Sequence, residues 1–171
     1  MVALVVTGIL LLIVSRVLPL HAAVLWGENG RRALSASRSD LVLGSGIAVL
    51  AILVLWVVAS IVMVLVPARH VLVPHATFWK SSKARVREMR HRYALYFSRV
   101  IALTLFFVSA ELVVAIAGQQ GGPLALWWVP AFVSLVYVVL LLVFAVWIFT
   151  DGFAQPAQPA PSGKVSAGGR R

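Results

Sequence analysis

The chain has 171 residues, of which 61% are hydrophobic and 12% charged, against roughly 45–50% apolar and 25% charged in soluble domains. A water-soluble fold of this length cannot hide so much apolar surface, so lipid is the expected solvent for much of it. The formal net charge is +10, but the basic residues lie in short connectors between apolar runs; that pattern points to anionic lipid head groups and away from nucleic acid as a partner.

In chain order, four apolar runs approach or exceed the ~20 residues that cross a ~30 Å hydrocarbon core. They are Val2–Leu20, Leu41–Val66, about Leu95–Ala117, and Leu124–Phe149. Open strands would leave backbone groups unpaired in lipid, so all four are expected to be helices. The expected fold class is therefore all-α, an integral membrane four-helix bundle over residues 1–151. The first run reads as an uncleaved helix. It has no Lys or Arg before its apolar stretch, although the small residues Ala22 and Ala23 would serve signal-peptide cleavage.

Orientation follows from the Lys/Arg asymmetry. The connector between the second and third runs holds Arg69, Lys80, Lys83, Arg85, Arg87, Arg90 and Arg92, with Arg99 just inside the third run. The C-terminal segment adds Lys164, Arg170 and Arg171. Both termini are thus expected in the cytoplasm, with a multi-pass bacterial inner (cell) membrane as the location. Trp127 and Trp128 mark the outer end of the fourth run, and Trp147 its inner end. Residues 152–171, rich in Pro, Ala, Gly and Gln, read as a disordered tail.

Two ionisable residues fall within the spans. Arg16 and Glu111 each lie about fifteen positions from the inner end of their run, on the order of 22 Å at 1.5 Å per residue. A charge facing lipid is costly, so these two are the candidate intramembrane ion pair. The pair reads as a packing clamp or as a proton or ligand site, with Arg16 snorkelling alone to the interface as a third reading. Thr7, Ser45, Ser60, Thr104, Ser109, Ser134 and Tyr137 are expected to act as helix-packing glue, and Gly44 and Gly46 to allow close helix approach. Ser81–Tyr93 reads as a basic helix that continues into the third run, with Ser81 or Ser82 as N-cap. Its Lys80, Lys83, Arg85, Arg87, Arg90 and Arg92 form either an anchor on anionic lipid or a docking surface for a protein.

The four histidines lack the spacing of a metal site, and the chain has no cysteine. Phosphate-binding, nucleophile-elbow and zinc-helix patterns are missing from the sequence. Only five acidic residues are available, which leaves paired-carboxylate chemistry little to work with. The expectation is a non-enzyme with no cofactor and no metal.

Two segments resemble the bacterial membrane domain called DUF1648, found in SdpI-like immunity proteins and many uncharacterised proteins. The first runs through Leu18-Pro19, Val24-Leu25-Trp26-Gly27, Gly30 and Arg38. The second is Val73-Pro74-His75-Ala76-Thr77-Phe78-Trp79, followed by Arg85 and Arg87. The family has His where Leu25 stands, Asn where His75 stands and Tyr where Phe78 stands. The resemblance spans roughly residues 1–118 and implies a small membrane protein of immunity or signalling type. In physical terms Pro19, Trp26, Gly27, Gly30, Pro74 and Trp79 are expected to shape the loops. Two functions remain open. One is a non-enzymatic accessory, immunity or signalling component with a protein partner. The other is a small oligomeric transporter or proton-linked channel built on Arg16 and Glu111.

Overall fold

The computed structural model describes residues 2–26, 32–119, 121 and 125–154. The described chain is predominantly helical: α1 (Val2–Val17), α2 (Arg38–Leu65), the short α3 (Ala76–Trp79), α4 (Lys83–Gly118) and α5 (Trp128–Trp147). Three helical stretches are long and apolar enough to cross a membrane: α2, α4, and α5 together with the π turn that follows it, Ile148–Gly152. At 16 residues, α1 spans about 24 Å, short of a full crossing.

Helix ends fall where local chemistry puts them. The first helix stops three residues before the expected Leu20, because Leu18 precedes Pro19 and that position disfavours helical backbone. The second begins at Arg38 instead of Leu41, since Ser37 Oγ accepts from the Asp40 amide at 3.1 Å and Asp40 complements the helix dipole. Ser82 caps α4 in the same way, accepting from the Arg85 amide at 3.3 Å. The basic segment and the third apolar run thus form one 36-residue helix, as the sequence led us to expect.

Residues 21–40 between the first two apolar runs, where Trp26, Gly27 and Gly30 are expected to shape a loop, form in part a β-hairpin. Strands β1 (His21–Trp26) and β2 (Arg32–Ser37) pair antiparallel, with irregularities on either side of Leu25. Residues 27–31 between them, including Gly27 and Gly30, lie outside the described residues, as does residue 124 at the expected start of the fourth span.

Helix α4 is the hub. The helices α1, α2 and α5 all pack on it, and α1 also packs on α2. Among the described residues α5 forms no comparable interface with α1 or α2, so the four long helices do not close into a four-sided bundle. Packing and polar contacts decide which helices meet. Three apolar clusters follow. Ala3, Val49, Ile101 and Leu105 join α1, α2 and α4 at mid-height. Val14, Leu18, Ala22 and Leu112 tie α1 and the hairpin to α4. Val71, Trp79, Met89 and Phe153 form the core of the opposite, basic end.

Phe153 revises the expected boundary of the tail. Gly152 and Phe153 are buried, Phe153 completely, because the ring fills the space between Trp79, Tyr93 and Tyr96. Residues 155–171 of the expected tail lie outside the described residues.

Candidate functional site

The polar residues of the spans meet across helix seams. Thr7 Oγ1 lies 2.9 Å from Ser109 Oγ and donates to the Ala3 or Leu105 carbonyls at 2.8 and 3.2 Å, which locks α1 to α4. Thr104 Oγ1 and Tyr137 Oη are 2.9 Å apart between α4 and α5, with the Tyr137 ring stacked on Phe107. Trp56 Nε1 donates to Ser98 Oγ at 3.3 Å between α2 and α4. Ser60 instead bonds within its own helix, to the Trp56 carbonyl. Neither Gly44 nor Gly46 admits a close helix. A Cβ built at either meets nothing within 4 Å, and Gly44 faces open space beside Glu111.

Arg16 and Glu111 do not form an ion pair; the salt bridge found among the described residues is Arg92–Glu88. Two features of the geometry separate them. Val14 faces α4 and Arg16 follows it by two residues, which turns Arg16 about 200° away from the seam. Glu111 stands in the same relation to Ser109. The expected equal depth also fails. Ala3 packs beside Ile101 and Leu105, so α1 starts level with residues beyond Leu95. Measured from the Thr7–Ser109 hydrogen bond, Arg16 lies about 13 Å toward the hairpin end and Glu111 about 3 Å. Arg16 is exposed, one residue from the end of α1.

Glu111 is half-buried at a lateral cleft of about 320 Å³ where α2, α4 and α5 come near one another. Leu41, Gly44, Ser45, Ala48, Phe107 and Pro130 are among its walls. Ser134 Oγ donates to the Glu111 carboxylate at 3.3 Å. A carboxyl with room for a small guest beside it can accept a donor, a cation or a proton.

At the basic end the residues of the second resembling segment build an aromatic knot. His75 adopts the left-handed conformation (φ 55°) and caps α3. His, like Asn and Asp, enters that region more readily than bulkier residues do. Its carbonyl accepts from the amides of Phe78 and Trp79 at 2.9 and 3.2 Å. Pro74, half-buried, leads into this turn. Trp79 is buried and donates through Nε1 to the Phe153 carbonyl at 3.1 Å. Tyr96 and Arg92 both donate to the Gly152 carbonyl, at 2.8 and 3.1 Å. Gly152 is needed there, because a Cβ would lie 3.1 Å from the Tyr96 hydroxyl. Tyr93 donates to the Leu72 carbonyl.

The basic side chains divide into those the fold employs and those it leaves outward. Arg90 donates to the Val64 and Val66 carbonyls at 2.7 and 2.8 Å and so caps α2. Arg92 pairs with Glu88 at 3.0 Å and covers the Trp79 ring. Arg85 lies over the Phe78 ring, 4.1 Å from its centroid, and donates to Ser81 Oγ. Lys80 donates to the Arg69 carbonyl. Lys83 and Arg87 are exposed, and with Lys80, Ser81, Ser82 and Arg90 they line an open crevice at the start of α4.

At the hairpin end Pro19 terminates α1, and Arg38 donates to the Leu18 carbonyl at 3.3 Å. Trp26 ends β1; its side chain, with Gly27 and Gly30, lies outside the described residues. Gln119 clamps the hairpin to the end of α4. Its Oε1 accepts from the Ala23 amide at 3.0 Å, and its Nε2 donates to the Ala23 or Ala115 carbonyls at 2.7 and 2.9 Å. The sequence held no signal for Gln119 or Phe153, since both act through partners far along the chain.

Compared with known protein families, characterised proteins and solved structures, the chain finds no match in any of the three.

Proposed function

We propose that the chain is a multi-pass protein of a bacterial cell membrane, with both termini cytoplasmic, serving as a non-enzymatic accessory, immunity or signalling component that binds a protein partner. The supporting observation is that the described parts of both connectors are folded and fastened to α4. Gln119 holds the hairpin to the end of α4, and Tyr96 and Arg92 hold the basic end to it through the Gly152 carbonyl. Ordered surface at the ends of a spanning bundle is what a protein partner can read with little ordering cost. The resemblance to DUF1648 and SdpI-like proteins supports the same reading through Pro74, His75, Phe78 and Trp79, which here form one knot. Photo-crosslinking in cells from position 87, and separately from position 35 on β2, tests it. A reproducible protein adduct at either site is expected. Adducts only to lipid, at both sites, would sink the partner reading.

The cleft at Glu111 favours a second reading, a small oligomeric transporter or proton-linked channel in which Glu111 acts without Arg16. Glu111→Gln separates the two. Loss of a proton-linked flux at unchanged protein level supports transport; a fall in protein level marks Glu111 as a packing group bonded to Ser134.

A further inference from the structure

On the side of α4 that meets α5, near the basic end, a groove of about 540 Å³ is lined by Arg99, Leu103, Leu140, Val143, Phe144 and Trp147. That volume falls within the roughly 300–1,000 Å³ typical of ligand sites. We infer that this groove is a discrete site for an anionic phospholipid, with the phosphate on Arg99 and an acyl chain along Leu103, Leu140 and Val143. The inference rests on the membrane-spanning reading above and adds a ligand class to it.

Charge and depth choose the occupant together. Arg99 is exposed, and among the described residues no carboxylate pairs with it. Its guanidinium stands 5.9 Å from the centre of the Tyr96 ring, which steers the side chain without neutralising it. Arg99 follows Leu95 by four residues, so its backbone sits about 6 Å inside the expected span. There an unpaired cation is costly unless its head reaches the phosphate layer.

The groove grades from polar to apolar in the direction a lipid does. Trp147 stands beside Tyr96, with ring centres 5.5 Å apart, and is 39% exposed; an indole there suits the membrane interface. Because α4 and α5 run in opposite directions, Leu103 lies about one turn deeper than Arg99, while Leu140 lies about two turns deeper than Trp147. Val143 and Leu140 are exposed, so the groove opens sideways toward the acyl chains. The exposed Lys83, Arg85 and Arg87 at the same end favour a net-negative lipid over a zwitterionic one.

The test uses the full chain. Membranes are first washed at alkaline pH. Protein retained in them is then purified in mild detergent with equal amounts of phosphatidylglycerol and phosphatidylcholine, and read by native mass spectrometry. Wild type is expected to keep one phosphatidylglycerol per chain, at roughly tenfold preference over phosphatidylcholine. Arg99→Gln and Leu140→Trp, the second of which fills the groove, are each expected to lose that lipid. Arg99→Lys should keep part of it, and Arg87→Gln most of it. A circular-dichroism melt confirms that each variant is folded.

Equal retention of both lipids by wild type, or full retention by folded Arg99→Gln, overturns the site. Displacement by excess inorganic phosphate overturns the acyl-chain part and leaves a simple anion site. A chain released by the alkaline wash fails earlier, at the membrane reading, and takes the site with it. Failure of the lipid test alone leaves the cell crosslinking result standing.

Discussion

A single hydroxyl, Thr7, makes the polar link in the seam between α1 and α4. It is fully buried, 2.9 Å from Ser109 and within reach of two carbonyls, where an unmatched polar group would be costly. Interhelical hydrogen bonds in membrane proteins contribute about 0.6 kcal/mol on average and up to about 1.7 kcal/mol. Thr7→Val keeps the shape and should destabilise the α1–α4 seam by roughly that range. Ser109→Ala should do the same, and the double variant should cost less than the sum. Denaturant or steric-trapping unfolding of the four proteins measures the coupling; strict additivity would remove Thr7–Ser109 as the link. The sequence identified both residues as packing glue, but it offered Arg16 and Glu111 as the link. Those two fail because each stands two residues beyond a seam residue, on the far side of its helix.

At the scale of elements, the hairpin and the basic knot show how connectors become structure. The hairpin clings to α4 through Gln119, which spans 96 positions to Ala23. Gln119→Ala removes both bonds to the Ala23 backbone. Hydrogen exchange at Ala23 should accelerate by roughly tenfold, the effect of about 1.4 kcal/mol. Exchange at the α1–α4 seam should stay unchanged, and an unaltered rate at Ala23 would show that β1 is held by Ala22 packing alone. At the other end Trp79 and Phe153 come from segments that composition reads as loop and tail. Phe153→Ala should cost about 3–5 kcal/mol, as other large-to-alanine core changes do. Loss of the Trp79 fluorescence environment at lower denaturant would report it, and a change within error would return Phe153 to the tail.

For the whole molecule, the arrangement places the hairpin at one end of the spans and the basic crevice at the other. On the topology proposed above, the crevice is cytoplasmic. With no native cysteine, single cysteines at Ser35 and Ala84, both exposed, give a direct check. An impermeant thiol reagent should label Ser35→Cys in intact cells and Ala84→Cys only after lysis. The opposite pattern would invert the topology. Ala84 is preferable to Ser82 here, because Ser82 caps α4.

The sequence by itself determined the apolar helices, the basic α4 start with a serine cap at 81 or 82, and several of the residues that act as glue, Thr7, Thr104, Ser109 and Tyr137 among them. These are local or periodic properties: apolar run length, N-cap chemistry and side-chain type act over a few turns. It did not determine that α4 is the hub, that α5 packs chiefly along α4, or that Arg16 and Glu111 look away from each other. Nor did it show that Gln119 and Phe153 are structural. Those outcomes depend on which helix faces meet and on contacts made across dozens of residues. In helices that are apolar nearly all round, hydrophobic pattern carries little information about which helix will be whose neighbour. The tertiary fit of polar pairs, aromatic rings and small or aliphatic side chains decides it.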